Sequence, residues 1–262
     1  MAKKMSLAEL AEFLAQRDSL SQEEARFIKN DHRAGARILL ERFYNKQKKL
    51  QEEKERIKRM FSLETQLWNK GFNLLAGVDE AGRGPLAGPV VAAAVILEKK
   101  SFFPGLNDSK QLSAKKRNYL FDLIIEKAIA YGLGLSSHSE IDRHNIHVAT
   151  QMAMKRAIEN MPLKPDFVLV DGFNISHFTL PQKAFKHGDS RSLSIAAASV
   201  LAKVTRDQIM HSMDEKYPFY GFASNMGYGT LDHRQALSKH GPCPIHRRSF
   251  RLDFNDDLTG KS

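Results

Sequence analysis

Two short apolar runs, residues 74–78 and 167–170, each end on an aspartate, Asp79 and Asp171. Runs of that length and composition read as buried strands. A carboxylate at such a strand end is costly unless it binds a cation or shares a proton. Strand ends of open sheets are also where ligand sites collect. The first run continues as Asp79-Glu80-Ala81-Gly82-Arg83-Gly84-Pro85, so a second acid follows at once. Gly82 and Gly84 leave room for a substrate backbone, with Arg83 held between them as a donor. A third apolar run, 90–97, pairs antiparallel with the first through the Gly/Pro-rich turn 82–89. Ser113 opens a helix to about residue 130, and 131–136 forms a further strand. Helices follow over 146–160 and 192–213, the second rich in Ser and Ala. The pattern predicts an α/β fold: a central mixed β-sheet flanked by helices, with a helical, loop-rich C-terminal region over 214–262.

Residues 1–70 read as a separate, all-helical extension. Leu7, Leu10, Ala11 and Leu14 form an i, i+3, i+4, i+7 stripe. Ser21 and Glu24 make a capping box. A long helix is expected over 34–60, with Leu39, Phe43, Leu50 and Ile57 on one side and a run of lysines and arginines on the other. Ser62 is expected to cap one more short helix, closed by Gly71. This part holds 16 basic against 11 acidic side chains, the remainder 24 against 19. The whole chain of 262 residues carries 40 Lys and Arg against 30 Asp and Glu, a balance that favours a polyanionic partner. Cys243 is the only cysteine, which excludes an intrachain disulfide or a zinc site needing two thiolates. No apolar run reaches membrane-spanning length, and no secretory leader is apparent, so a cytoplasmic protein with no membrane partner is expected.

Asp189 lies just ahead of the Ser/Ala helix. Alone it would read as a helix cap. With Asp79, Glu80 and Asp171 it completes a four-carboxylate set. An all-oxygen set suits two hard divalent ions, Mn²⁺ or Mg²⁺, which stabilise the attacking and leaving oxygens of a phosphodiester displacement. Asp207 lies 18 residues further on, roughly 27 Å along a straight helix, too far to join them. The chain has no Walker loop, dinucleotide glycine motif, nucleophile elbow or paired zinc spacing.

Six ordered blocks carry a resemblance: GVDEAGRGPLAGPVV at 77–91, LNDSKQL at 106–112, VLVDG at 168–172, GDSRSLSIAAASVLAKVTRD at 188–207, YPFYGFASNMGYGT at 217–230 and GPCPIHRRSF at 241–250. The chain resembles bacterial ribonuclease HII over nearly its full length, with a diverged N-terminal extension like that of some Gram-positive members. The resemblance implies a ribonuclease H-like fold. It implies an endonuclease of DNA replication and repair, monomeric, that cleaves the RNA strand of RNA–DNA hybrids. Such an enzyme also incises at ribonucleotides embedded in duplex DNA, leaving 3′-hydroxyl and 5′-phosphate ends. The family's metal ligands carry over to Asp79, Glu80, Asp171 and Asp189. Its junction reader carries over to Gly82, Arg83 and Gly84 on the ribose 2′-hydroxyl and Tyr228 on the DNA-side sugar, with Lys110 near a phosphate. His187 and Met226 depart from common family residues without removing a ligand. Two alternatives stand beside this reading: a ribonuclease HIII-like enzyme restricted to longer RNA tracts, and a hybrid-binding protein without catalysis.

Overall fold

The computed structural model describes residues 5–252. The chain divides into two compact units, Met1–Lys58 and Arg59–Ser262. In the first, Ser6 and Ser21 each form a capping box, with Glu9 and Glu24, and so start α1 (Leu7–Ala15) and α2 (Gln22–Lys29). Leu10, Leu14 and Ile28 bury against Ala36, Leu40 and Phe43 of α3 (Ala34–Met60), while Leu7 of the expected stripe stays largely exposed.

The second unit begins at the end of α3 and includes α4 (Ser62–Trp68). Ser62 is the first residue of α4 rather than its cap, because Phe61 occupies the capping position without a side-chain bond. Five strands form one sheet in the order β3-β2-β1-β4-β5: β1 (Leu75–Ala81), β2 (Val90–Ile96), β3 (Ala130–Ser136), β4 (Phe167–Asp171) and β5 (Gln182–Phe185). β1 to β3 pair antiparallel, whereas β4 and β5 run parallel to β1, so the sheet is mixed as expected. β1 runs through Asp79 and Glu80 to Ala81, further than the apolar run itself.

Helices cover both faces. α5 (Ala114–Lys127) starts at the Ser113 cap. α6 (His138–Glu159) breaks at Asn145, whose φ is 68°. Its second part matches the expected helix from residue 146, and Asn145 Oδ1 caps it at His147 and Val148. That part lies on β3 and β2, so closely that a Cβ on Gly134 or Gly132 would overlap the backbone of Ala153 or Ala157. α7 (Leu193–Lys216) covers the opposite face, and α8 (Phe222–Asn225) and α9 (Leu231–His240) complete the C-terminal lobe. α7 approaches β1 so closely that a Cβ on Gly77 would overlap the Ser194 backbone. Its Ser/Ala composition is what allows the contact.

Glu64 of α4 is fully buried and accepts from Ser192 Oγ at 2.6 Å, Ser194 Oγ at 2.9 Å and Ser194 N–H at 3.0 Å. It therefore caps the start of α7, while Leu63, Leu67 and Trp68 pack beside Leu75, Leu169 and Ile195. A chain starting at Arg59 should melt near the full-length temperature. One starting at Gly71 loses the cap and this packing, and should be destabilised by at least about 3 kcal/mol. Urea unfolding of the two truncations checks this, and equal midpoints would reject it.

Candidate active site

The last paired positions of β1 and β4 are Val78 and Val170, so Asp79 and Asp171 follow side by side on neighbouring strands. Both belong to the register that faces α7, since Gly77 and Leu169 two residues earlier lie against Ser194 and Ile195. Asp79 is buried, accepts from the Glu80 N–H at 2.7 Å and bonds to Ser199 of α7. Ser199 in turn shares a hydrogen bond of 2.9 Å with Ser109. Asp171 accepts from the Gly188 N–H at 2.6 Å, which ties the segment carrying Asp189 to β4. Glu80 alternates to the other face, where Oε1 lies 3.4 Å from Arg83 and Oε2 is buried without a hydrogen-bond partner among the described residues.

The electrostatics describe one shared field. Burial, then the charges of Glu80 and Asp171, push the Asp79 carboxyl well above the ordinary carboxylate range. Burial, with Asp171, also raises Glu80 against the pull of Arg83. Asp189 is raised by burial and by Asp108 and Asp171. Burial pulls the Lys110 ammonium down, but Asp108, Asp79, Asp189 and Asp171 outweigh it and raise it. All four sequence-selected acids thus act on one another or on Lys110. Among the described residues, however, no three His, Cys, Asp or Glu side chains stand grouped to hold an ion as they are placed. Asp79 bonds to Ser199, Glu80 lies near Arg83 and interacts with Asp79, and Asp171 accepts from the Gly188 amide. The donor chemistry still fits hard divalent cations. It is all oxygen, it is desolvated, and the unpartnered Glu80 oxygen needs a positive neighbour.

Glu80 and Asp171 open into a cleft of 970 Å³, whose wall also includes Gly82, Arg83, Gly84, Lys110, His187 and Tyr228. Every expected substrate-contacting residue therefore reaches the same cleft, while Asp79 and Asp189 are buried and do not line it. Arg117, Lys186 and Lys203 add three cations to the wall that were not expected to contact substrate.

Gly82 meets a constraint from within the protein as well. Its φ is +94°, and a Cβ there would overlap the Arg206 side chain, so the buried guanidinium by itself already requires the glycine. A Cβ on Gly84 would meet only the Tyr228 ring, at an ordinary contact distance of 3.7 Å. Arg206 is buried and donates to Pro89 O at 3.0 Å, Met226 O at 2.9 Å and Ala87 O at 3.2 Å. Arg247, also buried, donates to the carbonyls of Gly82, Arg83 and Gly88. The two guanidiniums fix the 82–89 loop and join it to the turn carrying Tyr228. Nothing in the sequence around Arg247 points to this role.

A mixed five-stranded sheet with acids at the ends of its central strands, covered by helices on both faces, defines a ribonuclease H-like protein. The structure of ribonuclease H2 from Pyrococcus horikoshii is similar, with a TM-score of 0.59 and 27% identity over 69% of this chain and 95% of that one. RNase HIII described as in complex with Mn²⁺ shares the fold at a TM-score of 0.53 and 16% identity, over 72% of this chain and 70% of that one. The chain matches the Ribonuclease HII family over residues 76–253 and the Ribonuclease HII N-terminal domain over residues 6–68. It is 49% identical to Ribonuclease HII of Desulfitobacterium hafniense, over 94% of both chains. It is 46% identical to that of Enterococcus faecalis, over 94% of this chain and 96% of the relative. The chain belongs to the ribonuclease HII family.

Proposed function

We propose that this protein cleaves the RNA strand of RNA–DNA hybrids and incises duplex DNA at embedded ribonucleotides, leaving 3′-hydroxyl and 5′-phosphate ends. The observation that carries the reading is the single cleft in which Glu80 and Asp171 meet the Gly82-Arg83-Gly84 loop and Tyr228. Asp79, Glu80, Asp171 and Asp189 would hold two divalent ions, Mg²⁺ or Mn²⁺, which supply Lewis-acid charge to the scissile phosphate. Lys110 adds a positive charge at the same acids and suits a neighbouring phosphate. Arg83 and the loop amides suit the ribose 2′-hydroxyl, the group that separates RNA from DNA. The loop carbonyls of Gly82 and Arg83 are already taken by Arg247, so the donors are what remain for substrate. The half-exposed Tyr228 ring stands beside Gly84, where it can pack on the next sugar.

The basic N-terminal unit is read as an aid to hybrid binding, which the truncation at Arg59 tests through a smaller salt slope of affinity. No helix among the described residues is long and apolar enough to cross a membrane. We read the protein as a cytoplasmic monomer acting in replication and repair. Restriction to long RNA tracts is disfavoured by Arg83 and Tyr228 sharing one cleft. The test compares duplexes containing none, one or four ribonucleotides, each with Mg²⁺ and with Mn²⁺. Nicking of the one- and four-ribonucleotide duplexes is expected, with the all-DNA duplex intact. Cleavage of only the four-ribonucleotide duplex would reject the single-ribonucleotide assignment.

A further inference from the structure

Behind the Tyr228 turn lies a buried pair of histidines that the catalytic reading does not use. His233 of α9 and His246 are both fully buried, and their Nε2 atoms face each other at 3.0 Å. His233 Nδ1 lies 2.8 Å from the Tyr228 carbonyl oxygen. That oxygen can only accept, so Nδ1 of His233 carries the proton and its Nε2 is bare. His246 Nε2 must then be the donor between the rings. Its Nδ1 is left bare, as needed to accept from the Cys243 N–H at 3.0 Å. The opposite tautomer of His246 would bring two lone pairs together in a dry site. The donors therefore run one way: Cys243 N–H to His246, His246 to His233, His233 to Tyr228.

Both rings are neutral in this arrangement. Burial pulls His246 down to about 4, helped by His233, and burial also lowers His233. The polar or charged groups facing the pair are the Tyr220 ring, the Cys243 thiol and, at longer range, Arg248 and His138. None is an acid that would hold an imidazolium. The turn itself is otherwise fastened at Met226 O by Arg206, at Gly227 O by the Leu86 N–H and at Gly229 O by Arg234. Besides the Thr230 N–H that closes the turn, His233 is the donor that reaches the Tyr228 backbone carbonyl.

We infer that His233, held in a single tautomer by His246, is a positioning residue that aims Tyr228 and so sets how well a lone ribonucleotide is told from a longer RNA tract. The inference rests on the role of Tyr228 proposed above. Two near-isosteric variants separate the arms of the relay. In His233→Asn the amide takes the place of Nδ1 and keeps the bond to Tyr228. In His233→Gln it takes the place of Nε2, keeping the bond to His246 and losing Tyr228.

The experiment measures kcat and KM of the full-length protein on a one-ribonucleotide duplex and on an RNA–DNA hybrid. Melting temperatures and long-range ¹H–¹⁵N spectra of the histidine rings accompany it. The Asn variant is expected to keep the wild-type ratio between the substrates within about threefold. The Gln variant should lose roughly tenfold or more on the one-ribonucleotide duplex, chiefly in kcat, with hybrid cleavage little changed. The spectra of the wild type should show His233 protonated at Nδ1 and His246 at Nε2 at neutral pH. Equal substrate ratios in the two variants, or losses that only follow the melting temperature, would overturn the inference. So would a charged ring or the reverse tautomers. A wild-type protein that ignores the one-ribonucleotide duplex would instead locate the failure in the substrate assignment, and the inference would fall with it.

Discussion

Asp79→Asn is expected to abolish incision of a one-ribonucleotide duplex, by about a thousandfold or more, while leaving the fold intact. Both halves follow from the position of Asp79 at the end of the central strand. The side chain is buried beside Asp171 and Glu80, so its charge is useful only to a cation. An asparagine oxygen can still accept from the Glu80 N–H and still bond to Ser199. Removing the charge also removes two repulsions. Because the folded carboxyl titrates above its ordinary value, its stabilising contribution is complete only below about pH 4. That contribution is lost as pH rises through the folded value. In metal-free buffer at neutral pH the variant should therefore melt at or a few degrees above the wild type, and the gap should shrink toward pH 4. Scanning calorimetry at several pH values, with a nicking assay in parallel, reads both effects. Retained cleavage, or a collapse of stability, would reject this role.

The largest loss of stability is expected at the two buried arginines. Arg247→Met should destabilise the protein by about 3–5 kcal/mol, and Arg206→Met by a similar amount. Each change leaves three backbone carbonyls without their donor, in loops that hold Arg83 and Tyr228. Neither arginine makes a salt bridge among the described residues. Burial lowers both, and takes Arg247, with the repulsion of Arg206, to about 9. Their stabilising effect therefore comes from the carbonyls they organise rather than from charge neutralisation. Arg206→Lys should rescue little, because a single ammonium cannot span Ala87, Pro89 and Met226 as a planar fork does. Urea denaturation measures the loss, and unchanged midpoints would mean that the carbonyls find other partners.

The fold was legible wherever an apolar run met a cap or a turn signal. The run 74–78 marks β1, Ser113 marks α5, and the long amphipathic pattern marks α3 at its observed ends. β5 was not anticipated, because Gln182-Lys183-Ala184-Phe185 is a short edge strand with only one buried residue. The strand positions of Asp79 and Asp171 were legible because each follows directly on an apolar run. The roles of Arg247 and Glu64 were not legible, since a charged side chain in sequence reads as solvated until the structure shows what it reaches across the chain. His233 and His246 lie 13 residues apart with no spacing that announces a pair, and only the packing of α9 brings them together. The Arg206 side chain beneath Gly82 is a second reason for that glycine which the sequence does not show.

The central claim is that Asp79, Glu80, Asp171 and Asp189 together bind divalent ions, and direct Mn²⁺ binding tests it most plainly. Electron paramagnetic resonance of free Mn²⁺ would be followed as wild type, Asp79→Asn and Asp171→Asn are each added with a one-ribonucleotide duplex bound. The wild type should remove Mn²⁺ from solution, and both variants should do so at least about tenfold more weakly. Equal Mn²⁺ uptake by all three proteins, with nicking preserved in the variants, would contradict the account.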